Sequence, residues 1–403
     1  MNIYERYGVS PILNFDGPLT RYGGAIMEQE TLDAMDEAAK HTVPIDRLQA
    51  AASKVIARVT HAEAGIVTSG AFSALTLATA ACMCGFDVAR MDRLPDSSDM
   101  PNEVIMPSHQ ISGYAHSFRA AGAKLVAAGI PHAPIAPMSV YRIDKWHIEA
   151  AITERTVAIA YAARTDSHPE LEDVIGVGES HGIPVIVDAG PEVPPLENLH
   201  KFIDMGADLV CISGGKGIRG PQNSGILCGR SDLIASAAAQ MLEAPSEHYP
   251  DWNPPESLMP KEKFRSTPSH GIGRGMKVSK ETIIGLLTAL GNISPEKFAA
   301  KERAMTALLE KVAACVTRFP GFSAAFVPSE YCLCEYPTLE LTLDDRAGIG
   351  AARLCAEMRE RNIFLRDRYV TENKIRVYSM NMNPENTDIL CAAFSEILGK
   401  SRA

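Results

Sequence analysis

Seven short apolar segments, rich in β-branched residues and mostly separated by helical patterns, constrain the fold of this 403-residue chain. Such segments are typical of strands covered on both faces of a sheet, because a strand of that kind need not alternate apolar and polar residues. The predicted strand centres are Ile66, Val104, Leu125, Val157, Val185, Val210 and Ile226. Strands that alternate with helices predict an α/β fold with a mainly parallel sheet and helices on both faces.

Changes of pattern along the chain predict three regions. Residues 1–60 are expected to form an N-terminal arm with helices, residues 61–290 the large α/β domain, and residues 291–403 a small α+β domain. In the small domain, residues 338–343 alternate like an antiparallel strand with one face in water. The proline-rich residues 244–275 predict a long loop or lid.

Composition argues against several classes of protein. A formal net charge of −10 and a pI near 5.6 disfavour broad binding of nucleic acid. Nine cysteines without a CxxC pair indicate reduced, buried thiols in a cytoplasmic protein, and no metal site is predicted. The longest apolar stretch, residues 65–86, carries five Ser or Thr residues and predicts a core strand and helix rather than a membrane span.

One lysine lies where an open α/β sheet places its ligand, at the carboxyl end of a predicted strand. Lys216 follows an apolar run that ends at Ser213, and it lies within a glycine-rich turn. A lysine there is either a solvated loop charge or a reactive amine. Asp188, 28 positions earlier, ends another apolar run, so its carboxylate is also placed at a strand end.

An amine and a carboxylate at neighbouring strand ends are what a pyridoxal phosphate enzyme needs. The amine forms a Schiff base with the cofactor, and the carboxylate faces the pyridinium nitrogen. At about 4 Å and an effective dielectric constant of about 20, that charge pair gains ~4 kcal/mol, which keeps the ring protonated. Together, Lys216 and Asp188 predict pyridoxal 5'-phosphate as the cofactor.

A strand, turn and helix starting at residue 65 predict a phosphate cup. Ser69, Gly70 and Ala71 lie where the helix begins, so free backbone N–H groups and the positive end of the helix dipole are directed at the loop. Alternatively, Ser69 only caps the helix. His109 follows another strand, and it either stacks on a planar ring or is a hydrogen-bonded structural residue.

Four basic residues are candidates for binding an anionic substrate. Arg274 and Lys277 are three positions apart at a predicted helix start, where they could share one anion or be surface charges. Arg376 could meet a substrate carboxylate or form a cross-strand charge pair. Arg21, in a Gly-flanked loop, is either a surface charge or an anion ligand.

Five segments resemble the selenocysteine synthase (SelA)-like group of fold type I pyridoxal phosphate enzymes, and within it the D-glucosaminate-6-phosphate ammonia-lyase branch. These segments are residues 4–14, 20–24, 63–71, 213–222 and 274–281. The resemblance implies the aspartate aminotransferase architecture and a homo-oligomer.

Residue roles follow from the same resemblance. It implies that Lys216 is the Schiff-base lysine and that Asp188 is the partner of the ring nitrogen. It places Ser69, Gly70 and Ala71 at the phosphate, His109 on the ring and Ser213 among the cofactor contacts, and it gathers Arg21, Arg274 and Lys277 around an anion.

Two departures from the branch leave the substrate open: residues 16–20 and residues 72–73, which the resemblance places near the cofactor. The acidic net charge argues against seryl-tRNA as a substrate. The predicted reaction removes water and ammonia from a small anionic 2-amino-3-hydroxy acid, with Lys216 taking the α-proton and a 2-oxo acid as product. The same residues would serve a racemase, an aldolase or an aminotransferase. A non-catalytic protein that binds pyridoxal phosphate is the alternative from another class.

Overall fold

The computed structural model describes residues 2–129, 143–165, 167–243, 249–328 and 336–400. The described residues divide into two compact units. The large unit contains residues 27–291, and the small unit combines residues 2–26 with the described residues after 291.

The described residues form strands and α-helices joined by short 3-10 turns. The strands are β1 (Leu13–Phe15), β2 (Ala64–Thr68), β3 (Glu103–Pro107), β4 (Lys124–Ala128), β5 (Thr156–Ala162), β6 (Val185–Asp188), β7 (Leu209–Ser213), β8 (Gly225–Gly229), β9 (Phe322–Phe326), β10 (Thr338–Leu343), β11 (Ile363–Leu365) and β12 (Lys374–Tyr378). The helices are α1 (Gln29–Ala39), α2 (Ile45–Thr60), α3 (Ala71–Cys84), α4 (Val88–Arg93), α5 (His116–Ala120), α6 (Lys145–Glu149), α7 (Leu171–His181), α8 (Lys201–Asp204), α9 (Ser231–Met241), α10 (Lys280–Gly291), α11 (Pro295–Thr317), α12 (Ala351–Arg359) and α13 (Pro384–Lys400).

A seven-stranded sheet is the centre of the large unit. Its strand order is β2-β8-β7-β6-β5-β3-β4, and β8 is the single antiparallel strand. All seven predicted strand centres lie within these strands, so the predicted fold class is confirmed. Every residue of β2, β3 and β8 is buried, which explains why their sequences are apolar without alternation.

The described part of the proline-rich segment is packed against the large unit. Phe264 is buried and meets Phe86 edge to face, with ring centroids 5.0 Å apart. Trp252, also buried, lies with its ring centroid 5.6 Å from that of Phe264. Buried aromatic rings anchor residues 249–270, while residues 244–248 of the predicted loop or lid lie outside the described part of the chain.

The small unit contains two sheets around one core. β1 pairs in parallel with β11, and β9, β10 and β12 form an antiparallel sheet. The prediction that one face of β10 lies in water was wrong, because Thr338 and Glu340 on that face are buried. A neighbouring strand provides Glu340 with a charged partner, which removes the need for water.

The boundaries of the units differ from the predicted region of residues 1–60. The pairing of β1 with β11 brings residues 2–26 into the small unit, whereas α1 and α2 belong to the large unit. None of the described helices combines the length and apolar character needed to cross a membrane. The seven described cysteines are free thiols.

Candidate active site

The predicted cofactor residues follow strands that end at one edge of the large sheet. β3, β5, β6 and β7 are parallel, and β2 runs in the same direction because β8 pairs antiparallel with both β2 and β7. The carboxyl ends of these strands therefore lie at the same edge, where doubly wound sheets bind ligands. Ser69, His109, Asp188 and Lys216 are the residues placed at this edge.

Lys216 is half-buried in the tight turn that joins β7 to β8. A Cβ atom at Gly217 would lie 1.8 Å from the carbonyl oxygen of Val193, and one at Gly215 would lie 2.4 Å from Cα of Gln222. Only glycine fits at those positions. The close packing on both sides fixes the backbone from which the lysine projects.

Asp188 is the last residue of β6, and opposing effects act on the pKa of its carboxyl. Burial raises the pKa of this carboxyl, although a hydrogen bond from the Gly190 N–H at 3.1 Å and the charge of Lys216 both lower it. Ser213 supports this loop, since its N–H donates to the Gly190 carbonyl at 3.1 Å. A cation placed against Asp188 would relieve the cost of burial.

The start of α3 lies close to this carboxylate. A Cβ atom at Gly190 would be 3.2 Å from Oδ1 of Asp188 and 3.6 Å from Cβ of Ala71. Gly70 precedes the helix with φ +96°, and the first hydrogen bond of α3 runs from the Ala74 N–H to the Gly70 carbonyl at 3.1 Å. The N–H groups of residues 71–73 therefore point out of the helix end, where they can bind an anion.

Ser69 does not cap α3, because the cap residue is Gly70 and no side chain accepts a hydrogen bond there. Instead, its hydroxyl lies 2.9 Å from the hydroxyl of Ser73. Gly225 at the start of β8 permits the close approach of this loop, since a Cβ atom there would lie 2.5 Å from the carbonyl carbon of Gly70. The residues of the predicted phosphate cup are therefore held between β8 and the Asp188 loop.

His109 is exposed at the end of β3, and its ring stacks on that of His168 with centroids 4.0 Å apart and planes 15° apart. His168 accepts a hydrogen bond at Nδ1 from the Ile143 N–H at 3.0 Å, so its remaining ring proton is on Nε2. The sequence analysis missed His168, and no sequence signal linked the two histidines.

Two buried polar groups beside His109 have no hydrogen-bond partner among the described residues. These atoms are Oγ of Ser108 and Nε2 of Gln110. The other amide atom of Gln110, Oε1, accepts a hydrogen bond from the Ala162 N–H at 2.8 Å, which orients the side chain. Buried groups of this kind usually serve a ligand or an ordered water. The signal was present in the sequence, since both residues flank His109 at a strand end.

Together these observations fit pyridoxal phosphate. A lysine and a half-buried carboxylate lie at neighbouring strand ends, a helix start offers N–H groups, and a buried hydroxyl has no hydrogen-bond partner in the described part of the chain. The cofactor has an aldehyde, a pyridine nitrogen, a phosphate and a phenolic oxygen that match these four features.

Arg274 and Lys277 line one cavity of about 500 Å³ in the large unit, as their predicted shared role requires. Arg274 donates to Glu243 at 2.8 Å, so part of its charge is already paired. Gln49 also lines the cavity, and it hydrogen-bonds the backbone of Val67 near the end of β2. The cavity therefore borders the strand that leads to Ser69.

In the small unit, Arg21 shares one buried carboxylate with a second arginine. Asp16 accepts hydrogen bonds from Nη2 of Arg21 at 2.7 Å and from Nη1 of Arg366 at 3.2 Å. The side chains of Arg21 and Arg366 are 61% and 23% exposed, whereas that of Asp16 is 2% exposed. Arg366 was missed by the sequence analysis, and Asp16 belongs to one of the departures from the resembling branch.

Arg376 is placed differently from its predicted role as a substrate ligand. It is buried on β12 opposite Glu340 of β10, and its Nε and Nη2 both lie 2.9 Å from Oε2 of Glu340. Its guanidinium carbon lies 4.3 Å from the ring centroid of Tyr369. The structure therefore shows the alternative prediction for Arg376, a cross-strand charge pair.

The chain is similar to several known proteins. Residues 27–193 match the model of the DegT/DnrJ/EryC1/StrS aminotransferase family. The chain is 32% identical to a 5'-C-glycyluridine monooxygenase-decarboxylase from Streptomyces sp, over 98% of this chain and 92% of the relative. It is 31% identical to a D-glucosaminate-6-phosphate ammonia lyase from Salmonella typhimurium, over 72% of this chain and 70% of the relative.

Solved structures give the same result. A structure of D-glucosaminate-6-phosphate ammonia-lyase, 25% identical, matches with a TM-score of 0.79 over 100% of both chains. The apo cysteine desulfurase from Thermococcus onnurineus NA1 shares the fold, with a TM-score of 0.54 over 96% of this chain and 95% of that chain at 14% identity. The chain therefore belongs to the same family as these two curated relatives, has the fold type I architecture and depends on pyridoxal phosphate.

Proposed function

We propose that this enzyme is a lyase that eliminates water from a small anionic 2-amino-3-hydroxy acid. The resulting enamine then takes up water in a hydrolysis that releases ammonia and a 2-oxo acid. The observation that carries the proposal is the pair of Lys216 and Asp188 at neighbouring strand ends, with the lysine charge acting on the carboxylate. Similarity to an ammonia lyase supports the reaction type. A glucosaminate 6-phosphate is itself a phosphorylated 2-amino-3-hydroxy acid, so we favour a phosphorylated substrate.

Bound pyridoxal phosphate supplies the electron sink that stabilises negative charge at the substrate α-carbon. We assign the N–H groups at Gly70 and Ala71, with the Ser69 hydroxyl, to its phosphate. The Asp188 carboxylate would hold the ring nitrogen in its protonated form. His109 would cover one face of the ring.

Lys216 has two roles in this proposal. Its Nζ would hold the cofactor, and its free amine would act as the base that takes the α-proton of the substrate. A positioned base of this kind contributes about 10²- to 10⁴-fold in rate. The fixed turn around Lys216 supports the role, because a general base must return to one position in each turnover.

Two basic pairs are our candidates for the anionic groups of the substrate. Arg274 and Lys277 share a cavity in the large unit, and we assign them to the phosphate. In the small unit, Arg21 and Arg366 share the single carboxylate of Asp16, which leaves one net positive charge for a substrate carboxylate. A guanidinium fork suits either group because it donates two parallel hydrogen bonds.

A second candidate function is an oxidative decarboxylation of an amino acid. It is favoured by one observation: the monooxygenase-decarboxylase relative matches 98% of the chain, whereas the ammonia lyase matches 72%. Both names describe substrates that contain a 2-amino acid, which the same cofactor residues would bind. This reaction would consume O2 and release CO2.

The test is a product assay on the purified holoenzyme with a panel of phosphorylated and plain 2-amino-3-hydroxy acids. Ammonia and 2-oxo acid formed in equal amounts, without an added 2-oxo acid, would support the lyase and exclude an aminotransferase. Uptake of O2 with release of CO2 would replace it by the second candidate. If no amino acid changes the visible absorbance of the bound cofactor, the chain is a non-catalytic binding protein.

Two variants assign the chemistry to the lysine. We expect Lys216→Ala to lose at least about 10²-fold in rate. The matched control is Lys201→Ala, because Lys201 is an exposed lysine of the same unit on α8. A Lys216→Ala protein that forms product at the normal rate would refute the mechanism. The proposed homo-oligomer is tested by light scattering, with a monomer as the contradicting result.

A further inference from the structure

Two histidines and an aspartate converge at the edge of the large sheet opposite the active site. His61 directly follows α2 and precedes β2, while His200 and Asp204 flank and end α8, which precedes β7. β2 and β7 run in the same direction, so both connections lie at the amino ends of their strands. The group is therefore separated from Lys216 by the length of the sheet.

Both imidazoles direct the same nitrogen at one carboxylate. Nδ1 of His61 lies 2.9 Å from Oδ1 of Asp204, and Nδ1 of His200 lies 2.6 Å from Oδ2. The three ligand atoms all lie within 4.8 Å of one another. The imidazole rings stack with centroids 4.2 Å apart, and the three side chains are 53%, 34% and 45% exposed in the order named.

The backbone sets up this convergence. His200 and Asp204 are four positions apart, so they share one face of a helical turn. His61 adopts a left-handed conformation with φ 58°, which a residue other than glycine rarely adopts.

We propose that His61, His200 and Asp204 form a surface site for Zn²⁺ or a similar divalent transition metal. Two imidazole nitrogens and one carboxylate oxygen are a ligand set that zinc accepts, with water in the fourth position. In a tetrahedral site with bonds of about 2.0–2.2 Å, neighbouring ligand atoms stand about 3.3–3.6 Å apart. The carboxylate must therefore retreat from the histidines by less than about 1 Å, which exposed side chains allow.

A metal at this position would act as a stabilising cross-link within the large unit. The metal would join the end of α2 to α8, two segments separated by 143 positions in sequence between His61 and Asp204. Because it binds only the folded chain, it would raise the melting temperature, and above the dissociation constant the gain in stability would grow with the logarithm of metal concentration. Its distance from the catalytic edge predicts an unchanged rate of turnover, so this proposal and the proposed function fail independently.

The test is titration of Zn²⁺ into holoenzyme that has been freed of metal with a chelator and then desalted, followed by calorimetry and by thermal melting. We expect one equivalent bound per chain and a melting temperature that rises with zinc. His61→Ala, His200→Ala and Asp204→Asn should each weaken binding by at least about tenfold, since even indirect perturbation of metal ligands costs that much.

His41→Ala is the matched control, because His41 is an exposed histidine that faces Glu37 four positions away at 3.0 Å and belongs to no group of three possible ligands among the described residues. It should bind zinc like the unmodified protein. Circular dichroism and the visible band of the bound cofactor confirm that each variant is folded. The proposal is overturned if no zinc binds, or if binding is the same in the three ligand variants and in the unmodified protein. Binding without a rise in melting temperature would overturn the proposed stabilising cross-link.

Discussion

Replacing Arg376 by methionine separates a structural role for this arginine from the substrate-binding role that its sequence suggested. The Arg376 side chain is 4% exposed, and two of its nitrogens lie 2.9 Å from one oxygen of Glu340. The substitution removes the guanidinium and leaves the Glu340 carboxylate buried. The expected result is a less stable small unit with unchanged substrate binding.

The surroundings of Glu340 determine how much unfolding free energy Arg376→Met should lose. Removing one partner of a buried ion pair costs about 3–5 kcal/mol. Lys374 lies 3.2 Å from the other oxygen of Glu340, with 34% of its side chain exposed, and it partly compensates the carboxylate. We therefore expect about 3 kcal/mol, the lower end of that range. The double variant Glu340→Leu with Arg376→Met should recover most of the loss, because no buried charge remains.

The assay is urea unfolding of the holoenzyme followed by circular dichroism, combined with KM and kcat for the substrate identified by the product assay. Arg366→Met is the comparison variant, since the partly exposed guanidinium of Arg366 shares Asp16 with that of Arg21. For Arg366→Met we expect a raised KM and a small loss of stability. For Arg376→Met we expect an unchanged KM and the larger loss of stability. An Arg376→Met protein of normal stability with a raised KM would refute the reasoning.

Three further predictions concern the cofactor site. In the cofactor-free protein, Asp188→Asn should raise the melting temperature at neutral but not at acidic pH. Burial raises the pKa of this carboxyl, so the native state loses stability as pH rises from the pKa of the unfolded chain to the raised native pKa. Differential scanning fluorimetry across pH measures this. His168→Ala should raise the dissociation constant of the cofactor severalfold by freeing His109, whereas His168→Phe retains the stack, as measured by absorbance titration. Gly225→Ala should lower stability by about 1–3 kcal/mol in urea unfolding, through its contact with Gly70.

The large unit could be predicted from sequence because its signals are local. A buried parallel strand is apolar over five or so residues, and a ligand site at the carboxyl end of such a strand needs no knowledge of distant residues. For this reason the sequence could place Asp188, Lys216 and Ser69 at the carboxyl edge of the sheet, where they lie in the structure. Strand order was not needed, because parallel strands share one carboxyl edge whatever their order.

The small unit was harder to predict because its decisive contacts are long-range. Arg376 and Arg366 look alike in sequence, and the difference lies in their partners. Register places Glu340 directly opposite Arg376. Arg366 instead reaches Asp16, 350 positions away in the chain. No local pattern distinguishes a buried cross-strand pair from an arginine that is available to a substrate.

Three features that cost folding free energy lie together at the predicted cofactor site. Burial raises the pKa of the Asp188 carboxyl, and the buried hydroxyl of Ser108 has no hydrogen-bond partner among the described residues. The start of α3 points backbone N–H groups out of the helix behind a glycine with φ +96°. Each feature costs stability in a protein without a ligand, and natural proteins keep such costs mainly where function requires them. A single molecule with a ring cation, an oxygen acceptor and a phosphate offsets all three, so their common location supports cofactor binding more strongly than any one of them alone.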